Sequence, residues 1–310
     1  MAEISAGMVK ELREMTGAGM MDCKKALVAT EGNMDEAVEF LRKNGQAKVD
    51  KKANRIAAEG ICKIATSGDK VAAVVEVNSE TDFVAKNEQF QTFVAQVADI
   101  VVAGDYADVD ALLAAPFDGA KTVKDALVEK IATIGEKLDI RRFAKITAES
   151  GCVMTYTHGG GRIGVIVEAA TDVVNDSIKE ALSNVAMQIA ALYPKYVSRD
   201  EISADFIEHE KEIIRAQIMN DPKESKKPEN VIEGMISGRV NKELKEISLV
   251  DQIYVKALDG KQTVGEYVAQ VAKENSAAFS IKRFVRFETG EGIEKKSEDF
   301  AAEVAAQMNA

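Results

Sequence analysis

The apolar positions of the first fifty residues recur at helical spacing in three short blocks. Met8, Val9, Leu12 and Met15 share one face of a stretch that Ser5 can cap and that runs to Thr16. "TGAGM" follows, and its glycines end that helix. Residues 21–30 predict a second helix with Ala26 and Leu27 inward, broken by "EGN". Asn33 or Asp35 caps a third, with Ala37, Val38, Phe40 and Leu41 as its apolar positions and Gly45 as its expected end. Residues 46–55 are polar and basic and can continue as a helical linker.

The period then shortens to two. "GICKIATSGDKVAAVVEV" (60–77) reads as strand, turn at Ser67-Gly68-Asp69, strand, and a helix follows over 88–102. The arrangement recurs. "GCVMTYTHGGGRIGVIVE" (151–168) repeats the hairpin with Gly159-Gly160-Gly161 as its turn, and a helix follows over 175–192. Each copy reaches a similar strand, "IRRFAKI" (140–146) and "IKRFVRF" (281–287). The second copy is longer. Glu76 to Ile140 is 64 positions and Glu168 to Ile281 is 113, an excess of 49. Ile202, Phe206, Ile213 and Ile218 fall at roughly helical spacing, "NDPKESKKP" (220–228) is a charged turn, and Pro228 suits the first residue of a returning helix. Val231, Ile232, Met235, Ile236, Val240 and Leu244 give that helix an apolar stripe. Two antiparallel helices of this kind make a projecting hairpin, a surface for a second copy or a partner, unless the stripes satisfy only each other. After a glycine break, Ser297 can cap a last helix carrying Phe300, Val304 and Met308.

The expected fold class is therefore α+β. A three-helix module and linker occupies 1–55, one core subdomain 56–148, and the other 149–196 with 247–289. A coiled-coil or dimerisation hairpin is inserted over 197–246, and a helical module ends the chain at 290–310. The first unit resembles the ubiquitin-associated type of helical fold, usually a protein-binding module.

Composition narrows the function. The chain of 310 residues carries a net charge of −11, which argues against broad nucleic-acid binding. A local basic run remains at Arg42, Lys43, Lys48, Lys51, Lys52 and Arg55, best read as a solvated helix face. Three distant cysteines indicate neither a disulfide framework nor a zinc site. With no apolar run able to span a bilayer and no signal peptide, a reducing cytoplasm is the expected setting. His158 and His209 are the only histidines, so histidine catalysis or metal binding has little to work with, and no cofactor or metal is expected.

One stretch resists the structural account. In "EVNSETDFVAKNEQF" (76–90) a loop of turn and cap residues carries Phe83 and Val84, in a chain with only eleven Phe and no Trp. The second copy reads "AATDVVND", so a Thr-Asp pair stands in both, as helix-entry chemistry would require. Matched on that pair, the first loop is two residues longer and has Phe83 where the second has Val173. The phenylalanine either folds under its own helix or serves something outside the chain.

"LREMTGAGMMDCKKAL" (12–27) and "EVNSETDFVAK" (76–86) resemble the two signature stretches of bacterial elongation factor Ts, and "HGGGRIGV", "DIRRF", "RFETGEGIEKK" and "DFAAEVAAQM" extend the likeness over nearly the whole chain. "VDQIYV" departs, with Ile253 where the family commonly has Pro, which bears on a local turn near the base of the hairpin. The resemblance implies a guanine nucleotide exchange factor for elongation factor Tu that binds the GDP complex and promotes release of GDP and magnesium, with no bond chemistry. It implies that Thr81, Asp82, Phe83 and Val84 intrude beside the partner's magnesium site. It also implies partner contacts at Met20, Lys24, Lys52, Ile134, Gly135 and His158. Two other readings stay open: a scaffold binding through its helical module alone, and a magnesium-dependent phosphoryl-handling enzyme using Asp82 and the glycine turn. The enzyme lacks GxxxxGK[ST], and a strand rather than a helix follows its glycines.

Overall fold

Residues 4–294 are described by the structure, a computed structural model. The terminal helix expected to start at Ser297 lies outside the described residues. The Ser5 hydroxyl accepts the Met8 N–H at 3.2 Å and starts α1, Ala6–Thr16, which closes on Gly17 at φ +66°. Helix α2 is Met20–Ala29 and α3 is Met34–Lys52, with the Asn33 side chain accepting the Glu36 N–H. Val9, Leu12, Cys23, Ala26, Leu27 and Ala37 form their common core.

Helix α3 does not stop at Gly45. A glycine inside a helix costs about 1 kcal/mol relative to Ala, and here close packing offsets it. A Cβ on Gly45 would stand 3.3 Å from the Val128 side chain and 3.9 Å from that of Ala132. The glycine marks where α3 presses on the core, and the basic run beyond it is mostly helix.

Strands β1 (Glu59–Ser67) and β2 (Val71–Ser79) form the first hairpin. Then come the single turn α4 (Asp82–Ala85), α5 (Glu88–Ala103), α6 (Val109–Leu113), the short pair β3 (Pro116–Asp118) and β4 (Lys121–Thr122), and α7 (Val123–Ile134). Strand β5 (Leu138–Thr147) returns antiparallel beside β2. The second sheet repeats this order with β6 (Cys152–His158), β7 (Ile163–Thr171) and, after α8 (Asp176–Leu192), a strand at Phe279–Glu288. Alternate residues of β2 explain the layering. Ala73, Val75 and Val77 pack with Phe90, Phe93, Val94 and Val97 of α5, whereas Ala72 and Val74 pack with Val153 and Ile166 of the other sheet. Val165 and Val167 of β7 likewise face Ile178, Leu182, Val185 and Ile189 of α8. Two antiparallel sheets thus lie against each other with helices outside, and β2, covered on both faces, is apolar almost throughout. Each hairpin turn also binds the other copy's edge strand: the Cys62 N–H donates to the Gly161 carbonyl at 2.6 Å, and the Val153 N–H to that of Asp69 at 2.8 Å.

The inserted hairpin comprises α9 (Ala204–Asn220) and α10 (Glu229–Ile247), followed by α11 (Val264–Glu274) and β8 (Phe279–Glu288). Pro228 stands one position ahead of α10 rather than within it. Ile214, Ile218, Ile232, Ile236, Val240 and Leu244 close a core of their own. Ile213 and Val231, expected in the stripes, are exposed instead, and Ile214 takes the inward place. At its base the Lys195 and Tyr196 N–H groups both donate to the Ile247 carbonyl, and the Leu249 N–H to that of Tyr196. A hairpin with its own core and adjoining ends is removable. Replacing residues 200–245 by a short linker is expected to leave the circular dichroism melt of the remaining chain cooperative; loss of that transition would contradict the layout.

Candidate functional site

Sheet register corrects the comparison of the two loops. Glu76 stands opposite Arg142 and Glu168 opposite Arg283, and in both copies the next pairing skips one residue, Arg141 or Lys282. From these anchors Ser79 pairs with Leu138 and Thr171 with Phe279, so Thr171 is the counterpart of Ser79, not of Thr81. Their side chains agree: the Ser79 hydroxyl donates to the Thr81 carbonyl at 2.9 Å, and the Thr171 hydroxyl to the Val173 carbonyl at 2.8 Å. Asn87 caps α5 and Asn175 caps α8. Ser79 to Asn87 is eight positions and Thr171 to Asn175 four, so the excess is four residues rather than two. It equals α4, the turn Asp82–Ala85. Phe83 has no counterpart in the second copy.

Thr81, extended at φ −124°, caps α4 by accepting the Val84 N–H at 3.4 Å. Its own N–H and hydroxyl both donate to the Glu136 carboxylate, at 3.0 and 2.7 Å. Val84 and Ala85 are buried in the core with Phe90. Val84, expected to face a partner, therefore anchors the turn. One turn cannot bury consecutive residues on all sides, and Phe83 is left 80% exposed, not folded under its own helix. Asp82 is exposed and pairs with Lys86 at 2.7 Å; the hydrogen bond from Lys86 holds its carboxyl below the usual range.

The same bonds gather other candidates. Gly135 closes α7 in the left-handed region at φ +89°, with open space where a Cβ would sit, so only the backbone demands glycine there. Ile134 beside it packs half-buried on the first core, and Glu136 follows. Glu80 accepts the Lys137 N–H at 2.5 Å and pairs with Arg55 at 3.3 Å, while the Lys137 ammonium donates to the Ala53 and Arg55 carbonyls. The end of α3, where Lys52 lies half-buried, the α4 turn and the α7–β5 turn are thereby stitched together. Met20 and Lys24 lie one turn apart and exposed on α2. A Cβ on the preceding Gly17 would stand 3.9 Å from Thr133 near the end of α7. His158 belongs to the other sheet. It is exposed at the end of β6, its Nδ1 3.2 Å from the Tyr156 hydroxyl, and the turn after it reaches β1 at Cys62.

Glu80, Glu136, Lys137 and Arg55 are not recognisable from the sequence as a group, since nothing periodic links positions 25 to 82 residues apart. Gly159-Gly160-Gly161 is a hairpin tip. Among the described residues no group of three or more His, Cys, Asp or Glu side chains could hold a metal ion, and no helix is long and apolar enough to cross a membrane.

A braced two-sheet core that holds an aromatic side chain out into water is the build of a binding protein. The family model for Elongation factor TS matches residues 80–291. Elongation factor Ts of Clostridioides difficile (strain 630) is 51% identical over 309 residues, covering 99% of this chain and 100% of that protein. The protein of the same name from Clostridium perfringens (strain 13 / Type A) is 49% identical, covering 97% and 98%. That from Trichlorobacter lovleyi (strain ATCC BAA-1151 / DSM 17278 / SZ) is 48% identical, covering 98% of each. The chain belongs to the elongation factor Ts family. Its members are elongation factors of protein biosynthesis, not enzymes that catalyse a chemical reaction.

Proposed function

We propose that the chain is the guanine nucleotide exchange factor for elongation factor Tu, acting in the cytoplasm on the GDP-bound and nucleotide-free forms. The observation that carries this reading is the exposed Phe83 on a turn otherwise fixed on every side. Phe83 enters the partner beside its magnesium site, with Asp82 and the cap Thr81, while Val84 supports the turn from below. In P-loop GTPases that ion bridges the β- and γ-phosphates when GTP is bound, and it is held by side chains from mobile segments. Displacing those segments releases the ion and leaves the diphosphate poorly neutralised. Burying one phenylalanine supplies about 1.5–3 kcal/mol. Weakening GDP binding by about 10³–10⁴-fold needs roughly 4–5.5 kcal/mol, so further contacts must cooperate. Met20 and Lys24 dock the ubiquitin-associated-like module, Lys52, Ile134 and Gly135 flank the turn, and His158 presents the second sheet. The hairpin over 197–246, with Ile213 and Val231 outward, is a surface for a second copy.

Linkage supplies the test. If the factor weakens GDP binding, GDP must weaken the factor by the same ratio. Calorimetric titration of the chain into nucleotide-free and GDP-loaded elongation factor Tu should give affinities differing by that factor, and equal affinities would refute exchange. The chain alone should bind neither nucleotide. Docking and release separate in a charge reversal: Lys24→Glu is expected to weaken complex formation about tenfold, or about 1.4 kcal/mol, while the release rate at saturating factor stays unchanged. An unchanged affinity would remove Lys24 from the docking face.

A further inference from the structure

Two carboxylates cross between the segment that carries Phe83 and the turn that ends α7. Glu136 accepts both donors of Thr81, while Glu80 reaches the other way to the Lys137 N–H and to Arg55. Bonds of this kind, with an ionised acceptor, are shorter and stronger than neutral ones. Thr81 is the cap of α4, so its tether to Glu136 sets the direction in which that turn leaves β2. The second sheet keeps only half of the device: Asp172, at the register position of Glu80, accepts the Ala278 N–H at 2.8 Å, but Ala277 stands where the first sheet has Glu136. Val173 holds the register position of Thr81, has no hydroxyl, and donates its N–H to Thr171 two residues back. The Glu80 bond thus belongs to the repeated fold, and the Glu136 tether accompanies the extra turn.

We propose that Glu136 is a positioning residue for exchange: through Thr81 it holds α4 so that Phe83 is presented already in its docking direction. This rests on the exchange reading above. A phenylalanine on an untethered turn samples several directions and loses that freedom on binding, which weakens the complex it must reach.

The test is a double-mutant cycle read by release of mant-GDP from elongation factor Tu at saturating factor. Glu136→Ala is expected to slow release about fivefold. Glu136→Gln, which retains an acceptor, should slow it less. In a Phe83→Ala background there is nothing left to present, and Glu136→Ala should change the rate by less than about 1.5-fold. A general loosening of the fold would act in both backgrounds alike, so equal slowing with and without Phe83 overturns the proposal. So does a Glu136→Ala protein that releases GDP at the wild-type rate. If Glu136→Ala melts early, Thr81→Val, which removes only the hydroxyl, replaces it in the cycle: slowing confined to the Phe83 background supports the tether, and equal slowing or none overturns it. Failure of the exchange reading looks different: the wild-type chain would then not accelerate release, or Phe83→Ala would match it.

Discussion

Phe83→Ala is expected to slow GDP release from elongation factor Tu by about 10- to 100-fold, the equivalent of about 1.5–3 kcal/mol of apolar burial, and to leave the thermal melt of the free protein within a few degrees of wild type. Both halves follow from the exposure of the ring. Removing it opens no cavity, whereas truncating a buried phenylalanine costs about 3–5 kcal/mol. The neighbouring residue gives the contrast. Val84 is buried, so Val84→Ala should lower folding stability by roughly 1.5 kcal/mol for two lost methyl groups. Melts of each mutant alone, beside mant-GDP release at fixed saturation of the complex, separate the two effects. A Phe83→Ala protein that melts far earlier yet exchanges normally once folded would assign the ring a structural role.

Glu76→Ala should have the largest effect on stability. Glu76 is fully buried in β2. Its carboxylate accepts from Arg141 at 3.0 Å, from Arg142 at 2.5 Å, from the Gly290 N–H at 2.8 Å and from Asn78 at 3.2 Å. Arg142 also stacks on Phe287 at 4.2 Å and pairs with Glu291, to which the Tyr193 hydroxyl donates. One carboxylate thus joins the first sheet to the segment that leaves the second. Deleting it takes the shared carboxylate from two part-buried guanidinium groups, which keep only their bonds to the 288–291 segment, and leaves the buried Gly290 N–H without its acceptor, at a cost of about 3–5 kcal/mol. The melting temperature should fall by on the order of 10 °C. Glu168 offers a control within the same molecule. It pairs with Arg283 at 2.5 Å and with Lys282 at 3.1 Å. The Lys282 contact is a charge pair without hydrogen-bond alignment, since that carboxylate oxygen has no hydrogen-bond partner. Its cations are about half exposed and rehydrate when the carboxylate is removed. Glu168→Ala should therefore cost about half as much. Equal melts for wild type and Glu76→Ala would mean that the carboxylate joins nothing.

The repeat is legible because strands and helices differ in period, and because two hairpins with glycine turns precede two basic strands. The inserted hairpin is legible as excess length. Local chemistry misleads where register does not. Thr-Asp occurs after both hairpins and invites alignment, yet the strand pairing, with the same bulge after Glu76 and after Glu168, moves the match by two residues. The exposed phenylalanine is therefore recognisable in the sequence while the helical turn that carries it is not. Helices α7 and α11 also repeat, each opened by a capping box, Thr122 with Asp125 and Thr263 with Glu266. Their "TVKD" and "TVGE" are visible in the chain but short enough to pass unnoticed. Gly45 is ambiguous because a glycine ends a helix and admits a neighbour equally well, and only the approach of Val128 decides between them. Ile213 and Ile214 are adjacent, so a stripe read at approximate spacing cannot choose between them. The tether of Thr81 to Glu136 joins positions 55 residues apart and leaves no pattern along the chain.

The measurement closest to the central claim is stopped-flow dissociation of mant-GDP from elongation factor Tu, with excess unlabelled GDP as trap, in the absence and presence of saturating full-length chain. Acceleration on the order of 10³-fold or more is expected, with a smaller plateau for Phe83→Ala. A wild-type chain that forms the complex but leaves the dissociation rate unchanged would contradict an exchange function.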